Sequence, residues 1–149
     1  PPFKGKFEYK KLKEAYNKNK RDGFNSSKFE DIYFLDDEDN TPLQFLQLYI
    51  HLLEEGGLCM IVLPYGELFF KDGKTMPNIR KTLLDKIDIT DIILFEGGVF
   101  THTGIKTCAL IFEKNKRTQK INFIEANKDC TKLTKITTVE SDTWGKSIQ

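Results

Sequence analysis

The sequence predicts an α/β fold, a largely parallel sheet that ends in one antiparallel hairpin. Three observations predict it. Continuous apolar runs of strand length, "LCMIVLPY", "ITDIILFE" and "TCALIFEK", recur along the chain, and strands buried on both faces of a sheet read this way. Apolar residues at helical spacing stand between the first two runs. The link "EGGVFTHTGIK" between the second and third is too short for a crossover helix, so those strands pair antiparallel if they are neighbours.

The elements follow in order. Residues 4–20 suit a short basic helix, and from Asp22 to Asn40 a polar loop is interrupted by the apolar patch "IYFL". A helix should start near Thr41, with Thr41 as N-cap and Pro42 in the first helical position. Leu43, Leu46, Ile50 and Leu53 mark its apolar face, which Phe45, Leu48, Tyr49 and Leu52 widen. It should end at "EEGG", where Gly56 can take the left-handed conformation. The strand "LCMIVLPY" comes next and reads as buried on both faces. Ile79, Leu83 and Leu84 then mark a second helix before the hairpin strands. "KINFIEAN" alternates, with Ile121, Phe123 and Ala126 on one side, and reads as an edge or outlying strand. Residues 127–149, with the isolated Trp144, read as a linker toward a downstream region. About three main strands are too few for a doubly wound domain. Residues 1–126 therefore look like the second half of a larger one.

Composition narrows the class. With 149 residues, 12 of them phenylalanine, and 39% apolar, the chain can bury about two thirds of its unfolded surface. That argues for a folded, soluble protein over a disordered one. No run reaches the ~18 apolar residues of a membrane span, and no signal-peptide pattern stands at the start. Of the three cysteines, Cys59 and Cys108 lie in strand-like runs and read as reduced core residues of an intracellular protein; metal-ligand spacing is absent. Net charge is only +1, but Pro1 to Arg21 holds eight bases against two acids. Such a segment can meet phosphates or simply form a solvated face.

Three stretches stand out together: "PPF" at the start, "GLCMIVLPYGELF" after the helix, and "GGVFTHTGIKTCALIF" across the hairpin. In this order and spacing, from Pro1 to about Lys114, the chain resembles the catalytic half of adenine-N6 DNA methyltransferases, the methylation subunits of type I restriction–modification systems. The resemblance implies part of a class I, Rossmann-like, S-adenosylmethionine-dependent methyltransferase sheet. The family's catalytic motif is Asn or Asp, two prolines and an aromatic. Pro1, Pro2 and Phe3 match its last three positions, and the first falls just before Pro1.

The chemistry needs those residue types. An exocyclic adenine amine is a poor nucleophile because its lone pair is delocalised into the ring. A side-chain carbonyl and a backbone carbonyl that each accept one N–H draw the nitrogen toward sp³ character and aim its lone pair. Two prolines hold the carbonyls rigid and add no competing N–H. An aromatic can stack on a base that has left the duplex. By resemblance, the carbonyl of Pro1 is the backbone acceptor and Phe3 the stacking ring. Phe100 is then the second aromatic contact to the base, while Thr103, Gly104 and Lys106 shape the pocket or meet the strand backbone. His102 needs no catalytic role, since the amine becomes acidic as it is alkylated. Tyr65 and Glu67 can face the site or serve the fold.

The family's donor-binding half, with its Gly loop after the first strand, precedes the catalytic motif, and nothing in this chain matches it. The methyl donor site is thus expected mostly outside the chain, which should be inactive alone. The partners implied are DNA and specificity and restriction subunits or domains, in the cytoplasm and without a membrane. Methylation of another amine, cytosine N4 or protein glutamine, stays open, as does a non-catalytic scaffold with this fold. A nucleotide-dependent enzyme has no P-loop or dinucleotide fingerprint to support it.

Overall fold

The computed structural model describes residues 8–19, 28–35, 40–66, 75–100 and 104–146. The chain divides into two compact units, Pro2–Leu52 and Leu53–Gln149.

The first unit is helical: α1 (Tyr9–Asn19), α2 (Phe29–Ile32) and α3 (Thr41–Leu52). α1 lies within the expected basic segment. Tyr9 and Tyr16 set their rings 5.1 and 5.6 Å from Phe29, which lies 4.8 Å from Tyr33. Lys13 pairs with Glu30 and holds that carboxyl below its usual range, although an exposed pair adds little stability. The patch "IYFL" starts as the end of the one-turn helix α2, where a loop was expected.

At α3 the cap is Asn40, one residue before Thr41: the Leu43 N–H donates to Asn40 Oδ1 at 3.0 Å. Leu43, Leu46 and Ile50 are buried as expected, whereas Leu52 is 69% exposed. Gln44 and Gln47 are fully buried. Gln47 accepts the Leu35 N–H at 2.8 Å and donates to the Leu43 carbonyl at 3.1 Å, so its amide is satisfied and pins the segment after α2. α3 ends at Leu52, before "EEGG". Gly56 does take φ +74°, in a turn closed by the Gly57 N–H on the Glu54 carbonyl.

The second unit holds β1 (Leu58–Pro64), α4 (Thr75–Lys86), β2 (Ile87–Phe95), β3 (Thr107–Lys114), β4 (Lys120–Ala126), β5 (Leu133–Glu140) and α5 (Ser141–Lys146). The strands form one sheet in the order β1-β3-β2-β4-β5. β3 is antiparallel to both β1 and β2, which therefore run parallel to each other, and β2 and β4 pair parallel. The hairpin expectation holds.

Four expectations change. β4 is no edge strand, because β5 pairs antiparallel along it. Residues 127–149, read as a linker, thus carry a strand and a helix. Ala126 sits with Ile93 and Ala109, on the face opposite Ile121 and Phe123. Among the described residues β1 is terminal in the sheet, and its second face is open at Leu58 and Met60.

Alternation explains that asymmetry. Ile61, Leu63, Cys108, Leu110, Phe112, Ile89 and Ile92 share one face, at 2% exposure or less. A bulge at Thr90 shifts the register between Ile89 and Asp91 and lets Ile89 and Ile92 point the same way. On the other face Leu58 and Met60 are 69% and 60% exposed. α4 packs on β2 and buries Ile79, Leu83 and Leu84 as expected, along with Arg80.

Thr118 locks the start of β2. Its buried hydroxyl donates to the Ile87 carbonyl at 2.5 Å and accepts the Ile89 N–H at 2.9 Å. Thr118→Val preserves shape but strands both groups, so unfolding free energy should fall by about 2–4 kcal/mol. Urea denaturation measures this, and an unchanged midpoint would refute the clamp.

Among the described residues no helix is long and apolar enough to cross a membrane, and no cluster of three metal-ligating side chains occurs. Cys59, Cys108 and Cys130 are free thiols, and burial pushes that of Cys108 up to about 12.

Candidate active site at the strand ends

Three strand ends meet at one edge of the second unit. Pro64 closes β1, Phe95 closes β2, and both stand opposite Thr107, the first residue of β3. α/β folds place their sites at such carboxyl ends.

The connection after β2 begins with a turn, Val99 N–H to the Glu96 carbonyl at 3.4 Å, in which Gly98 has φ +85°. Only glycine visits that region without strain. Gly97 faces the returning chain so closely that a Cβ there would lie 2.9 Å from the Gly104 carbonyl oxygen. The two arms of the connection therefore touch at a neck, with Phe100 between them in sequence. The neck is tied to β1 by the Tyr65 N–H, which donates to the Lys106 carbonyl at 2.8 Å.

Phe100 is 37% exposed. Its ring stands edge-on to Phe95, centroids 5.9 Å apart at 86°, and Phe95 in turn packs on the cluster of Ile93, Ala109 and Ala126. Thr107 is buried with no hydrogen-bond partner for its hydroxyl. Arg80, 1% exposed, lies 5.0 Å from the Trp144 ring centre and donates to the Trp144 carbonyl at 3.3 Å. Burial raises the Tyr65 phenol, Cys108 adds to that, and the Arg80 charge opposes it. A buried cation therefore stands near the end of β1.

Of the sequence-derived site residues, Phe100, Gly104 and Lys106 lie on this connection between β2 and β3. Pro1, Pro2, Phe3 and Thr103, like His102 and Glu67, lie outside the described residues. Sequence reasoning missed Phe95 and Gly97, whose signal was the spacing "FEGGVF", and Arg80, which reads as a solvated helix residue until Trp144 covers it. A polar cavity of about 640 Å³ opens elsewhere, between Asp88 and the basic side chains Lys116, Arg117 and Lys120. Those cations already pair with Glu113, Asp85 and Glu140, and the cavity lies at the opposite strand ends from Phe100.

A mixed sheet whose antiparallel third strand inserts between two parallel ones, with an aromatic loop at the strand ends, is the sheet of a class I methyltransferase. Residues 1–148 match the N-6 DNA methylase family, and the chain belongs to it. It is 40% identical over 82 residues to the type I restriction enzyme EcoEI methylase subunit of Escherichia coli, covering 54% of this chain and 16% of that protein. Among solved structures, the type I restriction–modification methyltransferase subunit from Streptococcus thermophilus aligns over 98% of this chain and 28% of its own, with 28% identity and a TM-score of 0.61. A modification subunit of a type I enzyme from Vibrio vulnificus aligns over 84% and 24%, with 25% identity and a TM-score of 0.59. The chain thus spans about a sixth of the curated relative's length.

Proposed function

We propose that this chain is the catalytic half of a site-specific DNA adenine-N6 methyltransferase working in a type I restriction–modification system. The observation that carries the reading is the Phe100 loop: an exposed aromatic on a neck anchored at the strand ends, in a member of the N-6 DNA methylase family. The extrahelical adenine stacks on Phe3 and meets Phe100 on its way into the site. The Pro1 carbonyl and the side chain expected before it accept the two N–H bonds of the amine, so that its lone pair faces the incoming methyl group. Gly104 and Lys106 hold the rim, Lys106 through its carbonyl bond to β1, and Thr103 completes the pocket.

The required donor is S-adenosylmethionine, but the described residues do not fit it. Neither glycine pair leads from a strand into a helix: Gly56 and Gly57 enter β1, and Gly97 and Gly98 lead into the hairpin. The donor's pocket is supplied by parts of the enzyme other than these residues. The open sheet face at Leu58 and Met60 supports that division. The chain therefore works as part of a longer methyltransferase, which meets DNA together with specificity and restriction subunits in the cytoplasm.

Adenine-methylation profiling of DNA from cells expressing the intact parent, against an empty control, tests the reading. A sequence-specific N6-methyladenine signal is expected. Its absence, with the specificity subunit co-expressed and the protein abundant, would show that the fold has outlived the chemistry.

A further inference from the structure

We infer that Phe95 is a positioning residue for base capture: it fixes the orientation of the Phe100 ring. The inference rests on the proposed contact between Phe100 and the base. An exposed phenylalanine at a loop tip has two free torsions and gains little from its surroundings. Phe100 differs, because one side of its ring is met by another ring, 5.9 Å away and at 86°. That edge-to-face geometry is the favoured one for aromatic pairs and adds to simple burial.

Phe95 is suited to give such support. It is the last residue of β2, its backbone is held in the ladder opposite Thr107, and it packs against the cluster of Ile93, Ala109 and Ala126. The orientation of Phe100 is thereby referred back to the sheet through one ring, while the Gly97–Gly104 neck fixes where the loop leaves it. A capturing side chain works when its rotamer is held by a second layer, and a small misplacement is enough to slow the reaction.

The test uses the intact methyltransferase and a duplex with its own target site. Single-turnover methyl transfer is measured for Phe95→Leu, Phe95→Tyr, Phe100→Leu and the Leu/Leu double variant. Emission from 2-aminopurine in place of the target adenine reports how the extruded base is held. Phe95→Leu should slow transfer by about 3- to 10-fold, the range an aromatic pair supplies, and change the 2-aminopurine signal. Phe95→Tyr, which keeps the ring, should restore both. The double variant should be no slower than Phe100→Leu, because both act through one ring.

Wild-type rates for Phe95→Leu would overturn the inference. So would losses that multiply in the double variant, or a Phe95→Tyr protein that stays slow while its thermal midpoint drops. If Phe100→Leu itself runs at the wild-type rate, the base-contact reading falls and takes this inference with it. A slow Phe100→Leu with multiplicative losses removes the inference alone.

Discussion

Alanine at Phe3 should slow methyl transfer by the intact parent about 100-fold while donor binding stays measurable. Base–aromatic stacking is worth about 1–3 kcal/mol per base, and 3 kcal/mol alone is more than 100-fold in rate. Loss of the ring also frees the amine to wander from its two carbonyl acceptors, which adds to the penalty. The remote parts of the donor site do not see this change. Quench-flow methyl transfer and equilibrium donor binding on the same preparation separate the two. Loss of donor binding together with turnover would place Phe3 in the donor pocket or in the fold, and would sink its assignment as the stacking ring.

Gly97→Ala is expected to be nearly as damaging, for a reason visible in the backbone. The added Cβ would sit 2.9 Å from the Gly104 carbonyl oxygen, closer than carbon and oxygen ordinarily come. The oxygen belongs to the main chain and the Cβ is fixed rigidly to it, so no flexible side chain can swing aside. The neck must open, and it carries Phe100 on one arm and Lys106 on the other. A displacement approaching 1 Å can cost about 100-fold in rate, so at least a 10-fold loss of turnover is expected. The cost to stability should be smaller, about 1–3 kcal/mol, as for other overpacked sites. Steady-state kinetics and urea melts compare the two, and full activity in a folded Gly97→Ala protein would show that the neck does not matter.

What could be read without coordinates follows from how strongly each residue's environment is fixed by its neighbours in sequence. The strands β1, β2 and β3 were legible because burial demands long apolar runs, and their hairpin because eleven residues cannot make a crossover. β5 was not. Its residues "LTKITTVE" are exposed almost throughout, so no alternation marks them, and only pairing with β4 makes them a strand. Thr41 and Asn40 are both good caps, and local sequence could not choose between them. Gln44 and Gln47 interrupt an apolar stripe and are buried because Gln47 reaches the Leu35 backbone, a partner that periodicity cannot foresee. Arg80 is hidden by Trp144, 64 residues away. At the site, Phe100, Gly104 and Lys106 came from a motif resemblance. Phe95, the ring beneath, looked like one more strand phenylalanine.

The spatial order of the strands also sets a timetable for folding. β2 and β3 are separated by a short connection and can zip together soon after both leave the ribosome. Among the described residues β1 pairs with the far side of β3, at separations from 43 residues for Pro64 and Thr107 to 55 for Leu58 and Glu113. At about 5–20 residues per second, translation leaves β1 waiting roughly 2 to 11 seconds for this partner. During that interval the edge of "LCMIVLP" that faces β3 has no partner in the nascent chain, and an open apolar strand edge invites association. β3 is thus the element whose arrival joins β1 and β2 into a sheet, and slow codons between Pro64 and Thr107 would prolong the exposure of that edge.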